Sequence, residues 1–230
     1  MINPKKVLFI GFEDDFYSKQ AYKFLIKCGF EVTVLWSSRN RKDKLPKKIE
    51  NWCGDYLFHM KSYYILPQNL LNNVKDISIN FHPSSPDYPG SGCLNWALYD
   101  EKDKTGITVH IINEKIDNGK IIKVYDVPIF KCDSLETLMS RVEIKQFEAF
   151  CDTVMNLKEM GTKKILKECK NVKWGNRTGK IKDIDNLELI DFKIKKQELE
   201  RLIRATSIGK FGPKLILHGY EFKYNGEDKQ

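Results

Sequence analysis

Three side chains suited to acid–base and electrophilic chemistry fall in one short window of the chain: Asn80, His82 and Asp117. An imidazole with a reference pKa of about 6.5 exchanges protons near neutral pH. A primary amide offers a fixed N–H donor to an oxygen that gains negative charge, and an ionised carboxylate can orient either neighbour. Each residue also has an ordinary use. An Asn at a strand end is commonly a turn former, a lone His is commonly a satisfied core or surface residue, and Asp117-Asn118-Gly119 is a common turn triplet.

The elements that must position them can be read from the apolar pattern. The run Ile77 to Phe81 is a buried strand that Pro83 stops by removing a backbone donor, so Asn80 and His82 share one strand face near its end. Gly90 and Gly92 open a tight turn, and Leu94 to Tyr99 predicts a short helix. A strand over Ile107 to Ile112 follows, then Asp117 in a polar loop, then a strand over Ile121 to Val127. Upstream, Val7 to Gly11, Phe16 to Cys28 and Val32 to Trp36 read as strand, helix and strand, a βαβ start that implies a parallel sheet. The first loop, Gly11-Phe12-Glu13-Asp14-Asp15, lacks GxGxxG and carries acids where a pyrophosphate would sit, which argues against a dinucleotide. Tyr56 to Met60 is a further strand.

Downstream, Ser134 to Leu157 predicts a long amphipathic helix covering the sheet, ended by Gly161 and followed by a shorter helix to about Cys169. The Gly-, Asn- and Lys-rich stretch from Val172 to Lys182 is the expected boundary. It divides the chain into residues 1–170 and a small lobe of 171–230, with a helix near Gln197 to Ala205 and a hairpin of Leu215 to Leu217 and Tyr220 to Phe222 across His218-Gly219.

Composition excludes several classes. At 230 residues, 41% hydrophobic and 30% charged, the chain has the makeup of a globular protein with one good-sized core. No apolar run approaches the roughly 20 residues of a membrane span, and the start carries no signal-type apolar segment, so we expect a cytoplasmic protein without a membrane partner. Six scattered cysteines without a CxxC pair read as buried thiols rather than disulfides or metal ligands. The net charge of +8 is spread along the chain and mostly interleaved with acids, and no nucleic-acid-binding signature accompanies it. Such a field still suits anionic small substrates.

The ordered set Asn80-x-His82-Pro83-Ser84, Asn95-Trp96, Thr105-Gly106-Ile107-Thr108-x-His110 and Asp117-x-Gly119 resembles the folate-dependent formyltransferases, from about Val7 to Asp126 and again weakly at Leu202 to Ala205. The resemblance implies a Rossmann-like α/β fold, a mostly parallel sheet flanked by helices, with a small C-terminal α+β lobe ending in a β-hairpin. It also implies Asn80, His82 and Asp117 as catalytic residues and 10-formyltetrahydrofolate as co-substrate, with no metal. The pterin would lie against the segment holding Lys61, Ser62 and Tyr63, with Asp117 nearby.

Formyl transfer to an amine passes through a tetrahedral carbon whose oxygen gains charge. Asn80 or His82 can donate to it, and His82 can take the amine's proton. Asp117 can orient the imidazole, position a water or relay the proton. The Pro-rich form His82-Pro83-x-x-Pro86-x-Tyr88-Pro89-Gly90 is most similar to the branch acting on dTDP-linked amino-dideoxysugars, with dTDP-4-amino-4,6-dideoxyglucose the best match. This implies a role in O-antigen or another surface glycan. Substrate contacts are expected from Pro83, Ser84, Tyr88, Trp96, Arg204, Phe211 and Tyr220, with Arg177 a further candidate, and the hairpin is expected to pack on the core or pair two subunits. The rival readings are glycinamide ribonucleotide transformylase and a catalytically silent binding protein of the same fold.

Overall fold

Burial along the first strand alternates in direction, and that alternation builds the layers. In the computed structural model, which describes residues 4–38, 40, 43–169, 171–176 and 178–226, β1 (Lys6–Phe12) is fully buried from Val7 to Ile10. Val7 and Phe9 join a core with Ala21 and Leu25 of α1 (Phe16–Lys27), while Leu8 and Ile10 join Ile49 of α2 (Lys47–Glu50) and Leu70 of α3 (Gln68–Asn72) on the other side. Both faces of the strand are covered, which is why it reads as a continuous apolar run.

The six strands lie in the order β2 (Glu31–Ser37), β1, β3 (Gly54–Met60), β4 (Val74–His82), β5 (Lys104–Ile111), β6 (Ile121–Pro128). The first four run parallel, and β5 runs against both neighbours. The mostly parallel sheet and its flanking helices are those expected. Because β1 connects to β2 on one side and has β3 on the other, a crevice opens at the carboxyl ends of β1 and β3.

A short helix, α4 (Cys93–Tyr99), joins β4 to β5, and α5 (Leu135–Glu168) lies across the first core. Phe150 of α5 meets Phe9, Phe58 and Phe81, with ring centroids 5.7, 5.7 and 5.0 Å away. Truncating such a ring costs about 3–5 kcal/mol. Gly161 takes φ 71° and ψ 166°, outside helical space, and divides α5 where the sequence places a helix end.

Beyond it come α6 (Ile181–Leu187), α7 (Lys196–Thr206) and a separate two-stranded hairpin, β7 (Lys214–Leu217) and β8 (Tyr220–Lys223). His218 and Gly219 both have positive φ, the two-residue turn that suits a twisted hairpin. The α7 helix docks on α4: Asn95 Nδ2 donates to the Ala205 carbonyl at 2.8 Å, and Tyr99 Oη to Glu198 at 2.7 Å.

All six cysteines are free, but of the six Cys93 alone is buried; Cys28, Cys151 and Cys169 are half-buried, and Cys53 and Cys132 are exposed. Cys53 directly precedes β3 and Cys132 sits in the turn before α5, where no apolar stripe exists to bury them. Among the described residues no helix is long and apolar enough to cross a membrane.

Candidate active site

Register across three strands sets the first polar row. Asn80 on β4 is paired with His59 on β3 and with His110 on β5, so the three side chains stand side by side at the carboxyl end of the parallel strands. His59 Nδ1 lies 2.9 Å from Asn80 Oδ1, and Asn80 Nδ2 lies 2.9 Å from His110 Nε2. Burial pushes the His59 imidazole down, so the ring is neutral and its Nδ1–H donates to the amide oxygen. That donor fixes the amide with its NH2 turned away from β3.

The NH2 meets Asp117. Asn80 Nδ2 donates to Asp117 Oδ1 at 3.2 Å, and the Gly90 backbone N–H donates to Oδ2 at 2.8 Å. His82 Nδ1 stands 3.1 Å from Oδ2, and His110 Nε2 stands 3.3 Å from Oδ1. Burial by itself would raise the Asp117 carboxyl. The charge of His82 and the hydrogen bonds from His110 and His82 outweigh it and hold the carboxyl well below the usual carboxylate range.

Asp117 reaches this position because its own φ is +40° and Gly119 follows. A Cβ on Gly119 would fall 1.7 Å from the Ile111 carbonyl oxygen, so the turn closes against β5 only with glycine there.

Both ring nitrogens of His82 face oxygen acceptors. Nε2 lies 2.9 Å from the Tyr88 carbonyl and Nδ1 faces Asp117, an arrangement the ring satisfies by donating from each nitrogen. His110 Nδ1 lies 2.9 Å from the Ile111 carbonyl oxygen. Its Nε2 accepts from the Asn80 amide when neutral and donates to Asp117 when protonated. Cys93, beside the carboxylate, is pushed up to about 12 by burial and then by the Asp117 charge, which keeps it a thiol.

These groups floor a cleft of about 820 Å³. Its walls include Phe12, Phe16, Tyr63 and Ile65, with Phe12 and Tyr63 edge to face at 6.1 Å. Such a volume and such apolar faces fit a flat heteroaromatic ring with a tail. A separate cleft of about 690 Å³ shares Ile112 to Lys115 with the first and is lined by none of Asn80, His82 and Asp117. Among the described residues no group of three or more His, Cys, Asp or Glu side chains is arranged to hold a metal ion.

Of the residues singled out in the sequence, Asn80, His82, Asp117, Lys61, Ser62, Tyr63 and Pro83 line the cleft. Lys61 Nζ is engaged by Asp15 at 2.5 Å and Glu143 at 2.7 Å, tying β3 to α1 and α5. Ser84 is fully buried against Thr105, and Tyr88 gives its carbonyl to His82 and its hydroxyl to Asp100. Trp96, Arg204, Phe211 and Tyr220 do not line the cleft. Arg204 instead donates to the carbonyls of Asp133 and Phe130, at 2.9 and 2.8 Å, pinning α7 to the turn before α5. Arg177 lies outside the described residues. The sequence reading singled out neither His59 nor, as a site residue, His110; only the pairing of β3, β4 and β5 brings them to Asn80.

Comparisons with known proteins agree with this architecture. A sugar N-formyltransferase from Shewanella sp superposes with a TM-score of 0.72 at 21% identity, covering 98% of both chains. An N-formyltransferase from Helicobacter canadensis, in complex with folinic acid and dTDP-3-aminofucose, gives 0.68 at 20% identity over 87% of this chain and 80% of that one. In sequence, a methionyl-tRNA formyltransferase from Thermodesulfovibrio yellowstonii is 27% identical over 138 residues, 60% of this chain and 44% of its own. The chain thus spans less than half the length of that curated relative. The Formyl transferase family matches residues 14–154, more than half of the sequence and the whole stretch that carries Asn80, His82 and Asp117, and the chain belongs to that family.

Proposed function

We propose that the cleft transfers a formyl group from 10-formyltetrahydrofolate to the amino group of a dTDP-linked amino-dideoxysugar, best represented by dTDP-4-amino-4,6-dideoxyglucose. The observation that carries the reading is the convergence of Asn80 and His82 on the Asp117 carboxylate, at 3.2 and 3.1 Å, on the floor of an aromatic-walled cleft. The likeness to sugar N-formyltransferase structures extends over the C-terminal lobe as well as the sheet and supports the sugar acceptor.

The walls formed by Phe12, Phe16, Tyr63 and Ile65, with the backbone of Lys61 to Tyr63, hold the folate. Bound there, 10-formyltetrahydrofolate supplies an activated formyl carbonyl. Asn80 Nδ2, aimed by His59, shares the N–H of its longer, 3.2 Å bond to Asp117 with the carbonyl oxygen as it gains charge, and such a donor contributes roughly 10²–10³ in rate. The proton between His82 Nδ1 and Asp117 Oδ2 is the mobile one. The pair gives it to the departing nitrogen and regains one from the incoming amine, so no net proton is lost. Pro83 and the rigid loop that follows shape the sugar side.

The remaining parts of the reading follow the same logic. Residues 1–170 form the catalytic unit and 171–230 a lobe for substrate contact and pairing. Ile216, Leu217, Tyr220 and Phe222 leave apolar surface exposed on the hairpin, which supports a homodimer formed there, and the product would feed surface-glycan synthesis in the cytoplasm. The sequence likeness to methionyl-tRNA formyltransferases favours a second acceptor, the amino group of a charged tRNA.

Mass spectrometry of reactions with 10-formyltetrahydrofolate decides between them. The acceptors would be dTDP-4-amino-4,6-dideoxyglucose, its 3-amino isomer, a UDP-aminosugar, glycinamide ribonucleotide and methionyl-tRNA. One added formyl on a dTDP-sugar alone supports the proposal. Formylation of methionyl-tRNA or glycinamide ribonucleotide alone overturns the sugar reading, and no product at all overturns the enzyme.

A further inference from the structure

Beside the histidines lies a stretch of chain that enters the cleft lining at Gly179 and that none of the roles above uses. Residues 173–176 and 178–180 lie along the Pro-rich loop and hold to it by backbone. The Gly175 N–H donates to the Pro86 carbonyl at 2.8 Å, the Gly179 N–H to Pro89 at 2.7 Å, and the Ser91 N–H to Gly179 at 2.9 Å. The approach is close enough to demand glycine. A Cβ on Gly175 would sit 2.1 Å from the Asp87 carbonyl oxygen, and one on Gly179 would sit 2.4 Å from that of Ser91.

This strap delivers Trp174. Its indole stands edge-on to His110, with centroids 4.9 Å apart at 85°, and to His82, at 5.7 Å and 71°. Its Nε1–H donates to the Gly119 carbonyl at 2.7 Å, two residues from Asp117. Trp174 is absent from the cleft lining, whereas both histidines and Asp117 are part of it. One side chain therefore touches both rings and the turn that carries the carboxylate, without reaching the space a substrate would fill.

We propose that Trp174 is a positioning residue that fixes the His82 and His110 rings and the Asp117 turn from behind and keeps water off that side of the pair. Its effect on turnover rests on the formyl-transfer reading, but its effect on the rings does not. Removing the indole frees two imidazoles to rotate and the 117–119 turn to move, and misplacement of catalytic groups by about 1 Å can cost roughly a hundredfold in rate.

The test compares the wild-type protein with Trp174→Phe, Trp174→Ala and Gly175→Ala in two measurements. The first is the imidazole 15N and 1H NMR spectrum of the protein without ligands, over a pH series; the four histidines are assigned by substitution. The second is the formylation rate against the acceptor panel above. We expect the His82 and His110 signals to shift and broaden in Trp174→Ala, with kcat down roughly ten- to a hundredfold, an altered pH profile and KM nearly unchanged. Trp174→Phe, which keeps an aromatic edge and loses the N–H donor, should recover part of both. Gly175→Ala, which pushes the strap off Asp87, should give a smaller change of the same kind even if Trp174→Ala does not fold. Unchanged ring signals in a folded Trp174→Ala or in Gly175→Ala overturn the proposal. A wild-type protein that formylates no acceptor overturns the enzymatic reading alone, since the ring signals still report on Trp174.

Discussion

Replacing Asp117 by Asn keeps the shape of the side chain and removes its charge, and the structure sets how much that should cost. Oδ2 accepts from the Gly90 N–H at 2.8 Å and faces His82 Nδ1 at 3.1 Å, while Oδ1 accepts from Asn80 Nδ2 at 3.2 Å. In one orientation the new NH2 points at two donors, Gly90 and His82. In the other it points at the NH2 of Asn80. The first loses two charge-assisted hydrogen bonds, each contributing about 1.5–3 kcal/mol, or about 3–6 kcal/mol together. The second loses one such bond and weakens the rest, because the carboxylate charge is gone.

The amide takes the second, less costly orientation, and at about 1.4 kcal/mol per decade a loss of about 1.5–3 kcal/mol felt in the transition state lowers kcat by about ten- to a hundredfold, more as the remaining bonds weaken. Steady-state formylation of whichever panel acceptor takes the formyl group, with denaturant unfolding as a control, measures it. The sign of the pH dependence follows from the same contacts. The folded carboxyl lies below its unfolded value of about 3.9, so its contribution to stability is fully present above that pH and is lost as the pH falls below it. Wild-type stability should thus decline more steeply than that of Asp117→Asn below about pH 4. A folded Asp117→Asn protein with kcat within threefold of wild type would refute the reasoning.

Three further outcomes are expected. His82→Ala and Asn80→Ala should each lower turnover by roughly a hundredfold or more with folding intact, measured by kcat and thermal unfolding; near-normal turnover in either removes the role assigned to it. Gly119→Ala should be unfolded or destabilised by more than about 3 kcal/mol, because a methyl group 1.7 Å from a backbone carbonyl forces the Asp117 turn open; an unchanged urea midpoint would show that the turn yields without cost. Tyr220→Lys with Phe222→Lys, placed on a side chain 73% exposed and one 56% exposed, should convert a dimer to monomers in sedimentation velocity, and a wild-type protein that is monomeric throughout removes the hairpin from the pairing role.

What local sequence decides, it decided here: short apolar runs, continuous in β1 and alternating in β4, give the strands, the stripe of Leu138, Val142 and Phe150 gives the long helix, and His218-Gly219 gives the hairpin turn, since neighbours in the chain set each of these. Asn80 and His82 on one face of one strand belong to the same class. The partners of those residues belong to another. His59 and His110 meet Asn80 only through the pairing of β3, β4 and β5, and Trp174 meets both rings only because three close backbone contacts hold Gly175 and Gly179 against the Pro-rich loop. Arg204 carries the charge that suits a phosphate, yet its guanidinium is held by two backbone carbonyls in the turn between β6 and α5. Composition states which groups are available for chemistry. Long-range packing decides which of them are already engaged, because each donor is claimed by whichever acceptor the folded chain brings within reach.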